Sequence, residues 1–398
     1  MKILVVAAHE PMLDRASGDL RFFELLKQLA QEHRVFFCAY RKVHRLSYID
    51  TSPYKAALEQ SGIIVTERNP IEAIRSERFD AILFEFYFSA KSYIDDARFW
   101  QPAARVLIDS VDVHFNRLLA KARLTESDKD YTSARKMKDR ELAAYSKADV
   151  VIAVSEEDRG VLQRELKNLP VEVIPNIHAV PPLVASKDRN RNLLLFIGNF
   201  HHDPNVDAML YFCSDILPLI RQDASDVRLT IVGDAPPEAV QRFAGENVKV
   251  LGFVPDTIPL LEASDISVAP LRYGGGLKGK IGEAMACGLP VVTTSVGTEG
   301  FGLSPGTNVL VGDTPEAFAK AVVELIRDRE LYENVRKAAW TFVNERYSVT
   351  AASRRIQELF GHLDRYPVKK LTPVKILGMT IQHNLDRYVS WRVKQSRR

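Results

Sequence analysis

Thirteen short apolar runs alternate with stretches of helical spacing along the first 312 residues of the chain. Runs such as ILVVAA (3–8), AILFEF (81–86) and DVVIAVS (149–155) are almost continuously apolar and lack the in-out alternation of a sheet with one wet face. Strands of that kind are buried on both sides, which occurs almost only where helices cover both faces of a parallel sheet. The intervening segments supply those helices. In LRFFELLKQLAQE (20–32), Phe22, Phe23, Leu25, Leu26 and Leu29 recur at helix spacing. The chain is therefore α/β and doubly wound.

The rhythm fails once, at NIHAVPPLVASKDRNRN (176–192), where prolines and then a charged run replace the periodicity. It restarts with LLLFIGN (193–199), VRLTIVG (227–233), VKVLGFV (248–254), ISVAPL (266–271), LPVVTTS (289–295) and NVLVG (308–312). Seven runs before the break and six after it make two tandem Rossmann-like domains, residues 1–180 and 181–345. The spacing predicts one helix over 206–220 and others over 258–264, 277–287, 315–328 and 349–363.

Charge bears on partners. Residues 361–398 hold nine Lys and Arg against two Asp, leaving 45 basic and 49 acidic residues in the rest. A slightly acidic body argues against a nucleic-acid-binding face, which needs a basic stripe on folded elements. Cys38, Cys213 and Cys287 have no metal-like spacing and read as reduced core residues of a cytoplasmic protein. MKILVVAAHE is too short an apolar run for a signal peptide and reads as a first strand. No run approaches the roughly 18 apolar residues of a membrane span.

Ligands of doubly wound sheets bind beyond the carboxyl ends of the strands. There, LRYGGGLKGKIGEAMACGLPVVTT (271–294) joins a strand to a helix through Gly274, Gly275 and Gly276. Glycines allow close backbone approach, and the helix start offers free N–H groups and a positive dipole end. Lys278 and Lys280 add charge, so the segment suits a diphosphate, though it equally fits a glycine turn with solvated lysines. Glu283, three residues after Lys280, shares its helical face. Its carboxylate could accept two ribose hydroxyls, or pair with Lys280.

Together with FIGNFHHDPNVDAMLYF (196–212), LTIVGDAPPEAV (229–240), VLGFVPD (250–256) and ASDISVAPLRYGGG (263–276), this block resembles the donor half of GT-B glycosyltransferases of family four. DRASGDLRFFELLKQLA (14–30), VLIDSVDVHFNRL (106–118), SKADVVIAVSEED (146–158) and VEVIPNI (171–177) fall where that family's acceptor half has counterparts. The resemblance covers about residues 1–345. It implies a GT-B fold, two domains facing a central cleft, with 346–363 crossing back to the first domain. It also implies retaining, metal-independent transfer of a sugar from a nucleotide-sugar to a glycan or lipid-linked acceptor, in bacterial surface-polysaccharide synthesis and with no cofactor.

Carried over by position, Glu283 matches the ribose-binding glutamate. Gly275, Gly276 and Leu277 offer backbone amides to the diphosphate and donor sugar, assisted by Lys278 and Lys280. Gly198 and Gly233 lie at strand ends on the donor side, Gly233 and Val254 border the base, and Gly18 lets the first turn approach the phosphate. Many members carry a second glutamate eight positions before Glu283, where this chain has Gly275. The strand end DSVDVHFNR offers Asp109, Asp112, His114 and Arg117, with Asp112 and His114 as the catalytic candidates beside a developing oxocarbenium ion. His9, His201 and His202 are weaker ones. A nucleotide-sugar epimerase and a catalytically silent nucleotide-sugar-binding subunit share the fold and stand as alternatives.

The segment 364–398 is basic, and from Val374 a helix would bring Ile376, Leu377, Ile381, Leu385, Tyr388 and Trp391 near one face. Lys375, Arg387, Arg392, Lys394, Arg397 and Arg398 surround it. Such a segment suits peripheral contact with an anionic membrane at its inner, cytoplasmic face, or else packing on the first domain.

Overall fold

The computed structural model describes residues 1–40, 50–185 and 191–395, with the side chains beyond residue 386 left aside. Part of the expected linker, residues 186–190, lies outside the described residues, as do Arg397, Arg398 and the side chains of Arg387, Tyr388, Trp391, Arg392 and Lys394.

Two parallel sheets form the molecule. The first contains β1 (Lys2–Ala7), β2 (Arg34–Ala39), β3 (Ile64–Val65), β4 (Ala81–Glu85), β5 (Arg105–Asp109), β6 (Val150–Ala153) and β7 (Val171–Val173), in the order β3-β2-β1-β4-β5-β6-β7. The second contains β8 (Leu193–Ile197), β9 (Arg228–Val232), β10 (Val248–Gly252), β11 (Ile266–Ala269), β12 (Val291–Thr293) and β13 (Leu310–Val311), in the order β10-β9-β8-β11-β12-β13. Every apolar run of the sequence is a strand. The reason is visible in burial: β1 from Ile3 to Ala7, all of β4 and all of β6 are buried, with helices on both faces of the sheet.

The helix expected over 206–220 is interrupted. Regular helix runs over Asp203–Tyr211 and Leu217–Asp223, with a π-helical turn at Phe212–Ile216 between them. Pro218 lacks an N–H and its ring would strike the carbonyl four residues back, so the ladder widens before it.

The chain crosses between the domains twice, and the crossings touch. His178 N donates to Tyr347 O at 2.8 Å. After Ser348 the helix Val349–Gly361 returns to the first domain, where Ala352, Ile356, Leu359 and Phe360 enter the same core as Phe22 and Leu26.

A buried ion pair fixes the strand edge that faces the cleft. Arg21 Nη1 donates to Asp109 Oδ2 at 2.7 Å, and its Nε and Nη2 donate to Ile174 O, tying the first helix to the ends of β5 and β7. Glu85, at the end of β4, is buried beside this group. Burial, then the charges of Asp19 and Asp109, push its carboxyl well above the usual range.

Candidate functional site

The carboxyl ends of the two sheets face one another, so the loops after the strands line a common cleft. Arg15, from the first domain, reaches Asp234 at 3.1 Å and lies 4.2 Å over the Phe253 ring. Lys121 reaches Asp203 at 2.8 Å, and Asn176 Nδ2 donates to Leu277 O at 3.5 Å.

On the second-domain side, the loop after β11 turns through Gly276 in the left-handed region (φ +58°) and enters the helix Gly279–Ala286, with Lys278 at its cap. The Lys278 stem is buried and its Nζ donates to Glu299 Oε2 at 3.3 Å. Lys280 Nζ donates to Asn205 Oδ1 and lies 4.5 Å from the centre of the Phe196 ring. Gly198 adjoins this ammonium, since a Cβ there would stand 2.9 Å from Nζ. Gly233 follows β9, next to Gly198, and donates its N–H to Gly252 O at 2.9 Å. Val254 is half-buried against the cluster that contains Leu277 and Ile281. Glu283 does not pair with Lys280; its Oε1 accepts from Thr257 Oγ1 at 2.6 Å. Burial pushes this carboxyl up against the opposing pull of that bond.

On the first-domain side, Gly18 lies in the opening turn of the helix Ser17–Glu32, against Val111. Val111 itself has φ +54°, a costly conformation for a β-branched residue. The bend presents Asp112 to the second domain; its Oδ2 accepts from Arg117 Nε of its own domain at 2.8 Å. Burial raises this carboxyl, but Arg117 and His114 outweigh it and hold the group below its ordinary value. His114 lies close enough for its charge to act on Asp112, and it is anchored within its own domain. Its Nδ1 is 3.0 Å from Glu141 Oε1, and its ring lies 5.7 and 5.6 Å from those of Phe86 and Tyr87 of its own domain. Glu141 also accepts the N–H groups of His114 and Phe115, capping the helix His114–Thr125. Asp109, offered by sequence as part of the same strand end, is taken up by Arg21 in the core.

Four groups here escaped sequence reading. Thr257 and Asn205 hold Glu283 and Lys280, Arg15 bridges the cleft, and Asp158 accepts from Ser155 at the end of β6. Burial pushes Asp158 up to about 7. The one available signal was position, because each follows or precedes a strand end.

Two basic groups of the site are held below their ordinary values. Loss of hydration lowers Lys280 to about 7, and burial, then Arg117 and Lys280, bring His202 down to about 4. A diphosphate beside Lys280 would favour its charged form and raise that value again. At pH 8 the free ammonium is mostly deprotonated, so nucleotide diphosphate binding is expected to take up close to one proton; near pH 5, where Lys280 is already charged, uptake vanishes. Calorimetry in two buffers of different ionisation enthalpy reads this directly, and equal uptake at both pH values would remove Lys280 from the phosphate site.

Comparison with known proteins agrees with the fold. Residues 191–328 match the family described as Glycosyl transferases group 1. A phosphatidyl-myo-inositol mannosyltransferase of Mycobacterium leprae is 30% identical over 212 residues, covering 48% of this chain and 56% of that protein. The chain spans about half the length of the curated relatives it matches. Among solved structures, sucrose-phosphate synthase from Thermosynechococcus elongatus superposes with a TM-score of 0.70 at 16% identity, covering 92% of this chain and 100% of that one. Anabaena HepE in complex with UDP-glucose gives 0.66 at 18% identity, covering 91% and 99%. The architecture is GT-B.

Proposed function

We propose that this chain, a GT-B protein with a group 1 glycosyl transferase domain over residues 191–328, moves a sugar from a nucleotide diphosphate donor to a glycan or lipid-linked acceptor. The transfer retains anomeric configuration, needs no metal, and serves the synthesis of cell-surface polysaccharide. One observation carries the reading: Glu283, Lys280 and the glycine loop surround a single helix start at a sheet's carboxyl end, opposite the Asp112–Arg117 pair. Helix N–H groups and Lys280 suit the diphosphate, which gains negative charge as it leaves. Glu283 suits the ribose hydroxyls. The HepE structure with UDP-glucose supports the donor class, and the mycobacterial relative supports a lipid-linked acceptor.

The test incubates the protein with a panel of nucleotide-sugars and polyprenyl-linked glycans and follows the product by NMR. Acceptor-dependent release of nucleotide diphosphate with the donor's anomeric configuration kept is expected. Release of free or isomerised sugar without an acceptor would point to an epimerase, and binding without turnover to a silent subunit.

The acceptor class accounts for the chain's last helix. Pro373–Gln395 is held on the helix Phe86–Trp100: Lys375 pairs with Asp95 at 3.1 Å, and the His383 ring lies 5.3 and 5.1 Å from those of Phe99 and Trp100. Val374, Leu377, Ile381 and Leu385 are more than half exposed and recur at helix spacing. Among the described residues no helix is long and apolar enough to cross a membrane. An apolar stripe flanked by bases suits the surface of an anionic bilayer at the cytoplasmic face, each base there contributing about 1 kcal/mol. Deleting residues 374–398 is expected to lower binding to phosphatidylglycerol vesicles in low salt and to leave nucleotide affinity intact; equal vesicle binding would rule out the membrane role.

A further inference from the structure

Phe86 stands where backbone geometry favours a glycine. Glu85 closes β4, in register with Asp109 of β5, and Phe86 opens the helix Phe86–Trp100 with φ +59°. Glycine takes that conformation without strain, an aromatic residue only at a cost, and strain of this kind collects where a chain is shaped for a ligand. The bend sets three aromatic residues in a row, Phe86, Tyr87 and Phe88, each half-buried. Tyr87 packs on the core that contains Phe84 and Ile108. The rings of Phe86 and Phe88 stack on each other, 4.9 Å apart and 18° from parallel, and form one apolar face two rings long.

β4 is the central strand of the first sheet, so its carboxyl end opens on the middle of the cleft. The Phe86 ring lies 5.7 Å from that of His114, the charge of His114 acts on Asp112, and Asp112 Oδ1 comes within 2.6 Å of where a Cβ on Gly275 would stand. The stacked pair is thus set back from the glycine loop behind Asp112 and His114, on the first-domain side. With the nucleotide held by the second domain, the molecule that meets this face is the one receiving the sugar. A pyranose ring offers the negative face of an aromatic ring a surface of positively polarised C–H groups; a phosphate or glycerol head group has no such ring.

We propose that the Phe86–Phe88 stack is the acceptor platform and that it takes the terminal pyranose ring of a glycan. The inference rests on the glycosyl-transfer reading above and narrows its acceptor to a sugar.

The test gives the full-length protein, with the donor found in the nucleotide-sugar panel, undecaprenyl diphosphate carrying glucose, galactose or N-acetylglucosamine, and, in parallel, undecaprenyl phosphate and phosphatidylglycerol. Transfer to a sugar-bearing acceptor is expected. Phe86→Gly fits the backbone and removes the ring, so it should raise the acceptor KM by about tenfold or more while leaving nucleotide-sugar affinity unchanged by calorimetry, which also certifies the fold. Phe86→Tyr keeps the face and should keep the wild-type KM; Phe88→Leu, with bulk but no π face, should raise it in smaller measure. An unchanged acceptor KM in Phe86→Gly, parallel loss of donor and acceptor, or preferred transfer to undecaprenyl phosphate or phosphatidylglycerol would overturn the platform while leaving glycosyl transfer standing. Failure of the wild-type protein to transfer to any of these acceptors would overturn the function and the platform with it.

Discussion

A Glu283→Ala protein is expected to fold normally and to bind nucleotide-sugars about a hundredfold more weakly, or worse. Each hydrogen bond from a ribose hydroxyl to a charged carboxylate is worth about 1.5–3 kcal/mol, and the geometry allows two. Removing the side chain costs the fold little, since Glu283 is half-buried at the rim of the crevice and its partner, the Thr257 hydroxyl, can turn to water. Glu283→Gln keeps the shape and loses the charge, so its affinity should fall between the two. Thermal shift or calorimetry with the nucleotide panel reads the effect, and full affinity in the folded alanine variant would end the ribose assignment.

The second large effect concerns stability. Arg21 is fully buried and satisfies Asp109 and the Ile174 carbonyl together, with Glu85 and Asp19 close by. Arg21→Ala would leave Asp109 buried without its counter-charge, a loss of about 3–5 kcal/mol. For a domain near 200 residues that corresponds to about 6–20 °C in Tm. An Arg21→Ala, Asp109→Ala double variant should recover part of the loss, because no orphaned charge remains. An unchanged melting temperature in the single variant would show that the ion pair does not hold the edge of β5 in place.

How much of this was legible beforehand follows from the range of the forces involved. Strands buried on both faces announce themselves as continuous apolar runs, so both sheets could be read off. The helix Asp128–Tyr145 could not: it is largely polar and buries only Ala134, Glu141, Ala144 and Tyr145. The candidate site divides in the same way. The glycine loop, its lysines and Glu283 lie within ten residues of sequence, and helix spacing alone put Lys280 and Glu283 on one face. Their actual partners, Asn205 at the start of another helix and Thr257 at a helix cap, lie 75 and 26 residues away, and no local pattern encodes them. The anchor of His114 was hidden for the same reason, since Glu141 lies 27 residues on. Gly275 was visible as a departure from a familiar pattern. What fills its space belongs to the other domain, and only the closed cleft brings the two together.

The returning helix Val349–Gly361 has a consequence for how the protein is made. Synthesis delivers residues 1–180 first, yet the core around Phe22, Leu26 and Ile356 is finished only by residues 349–363. Until the ribosome has passed that point, the nascent first domain has an open apolar flank on its first helix. The second domain's own strands, and the helix Arg329–Tyr347 that packs on it, are by then already out. The N-terminal half therefore completes last, against the usual order in which domains mature as they emerge. A fragment ending at residue 180 should remain a chaperone client, whereas one in which 349–366 is joined back onto it has the parts to close.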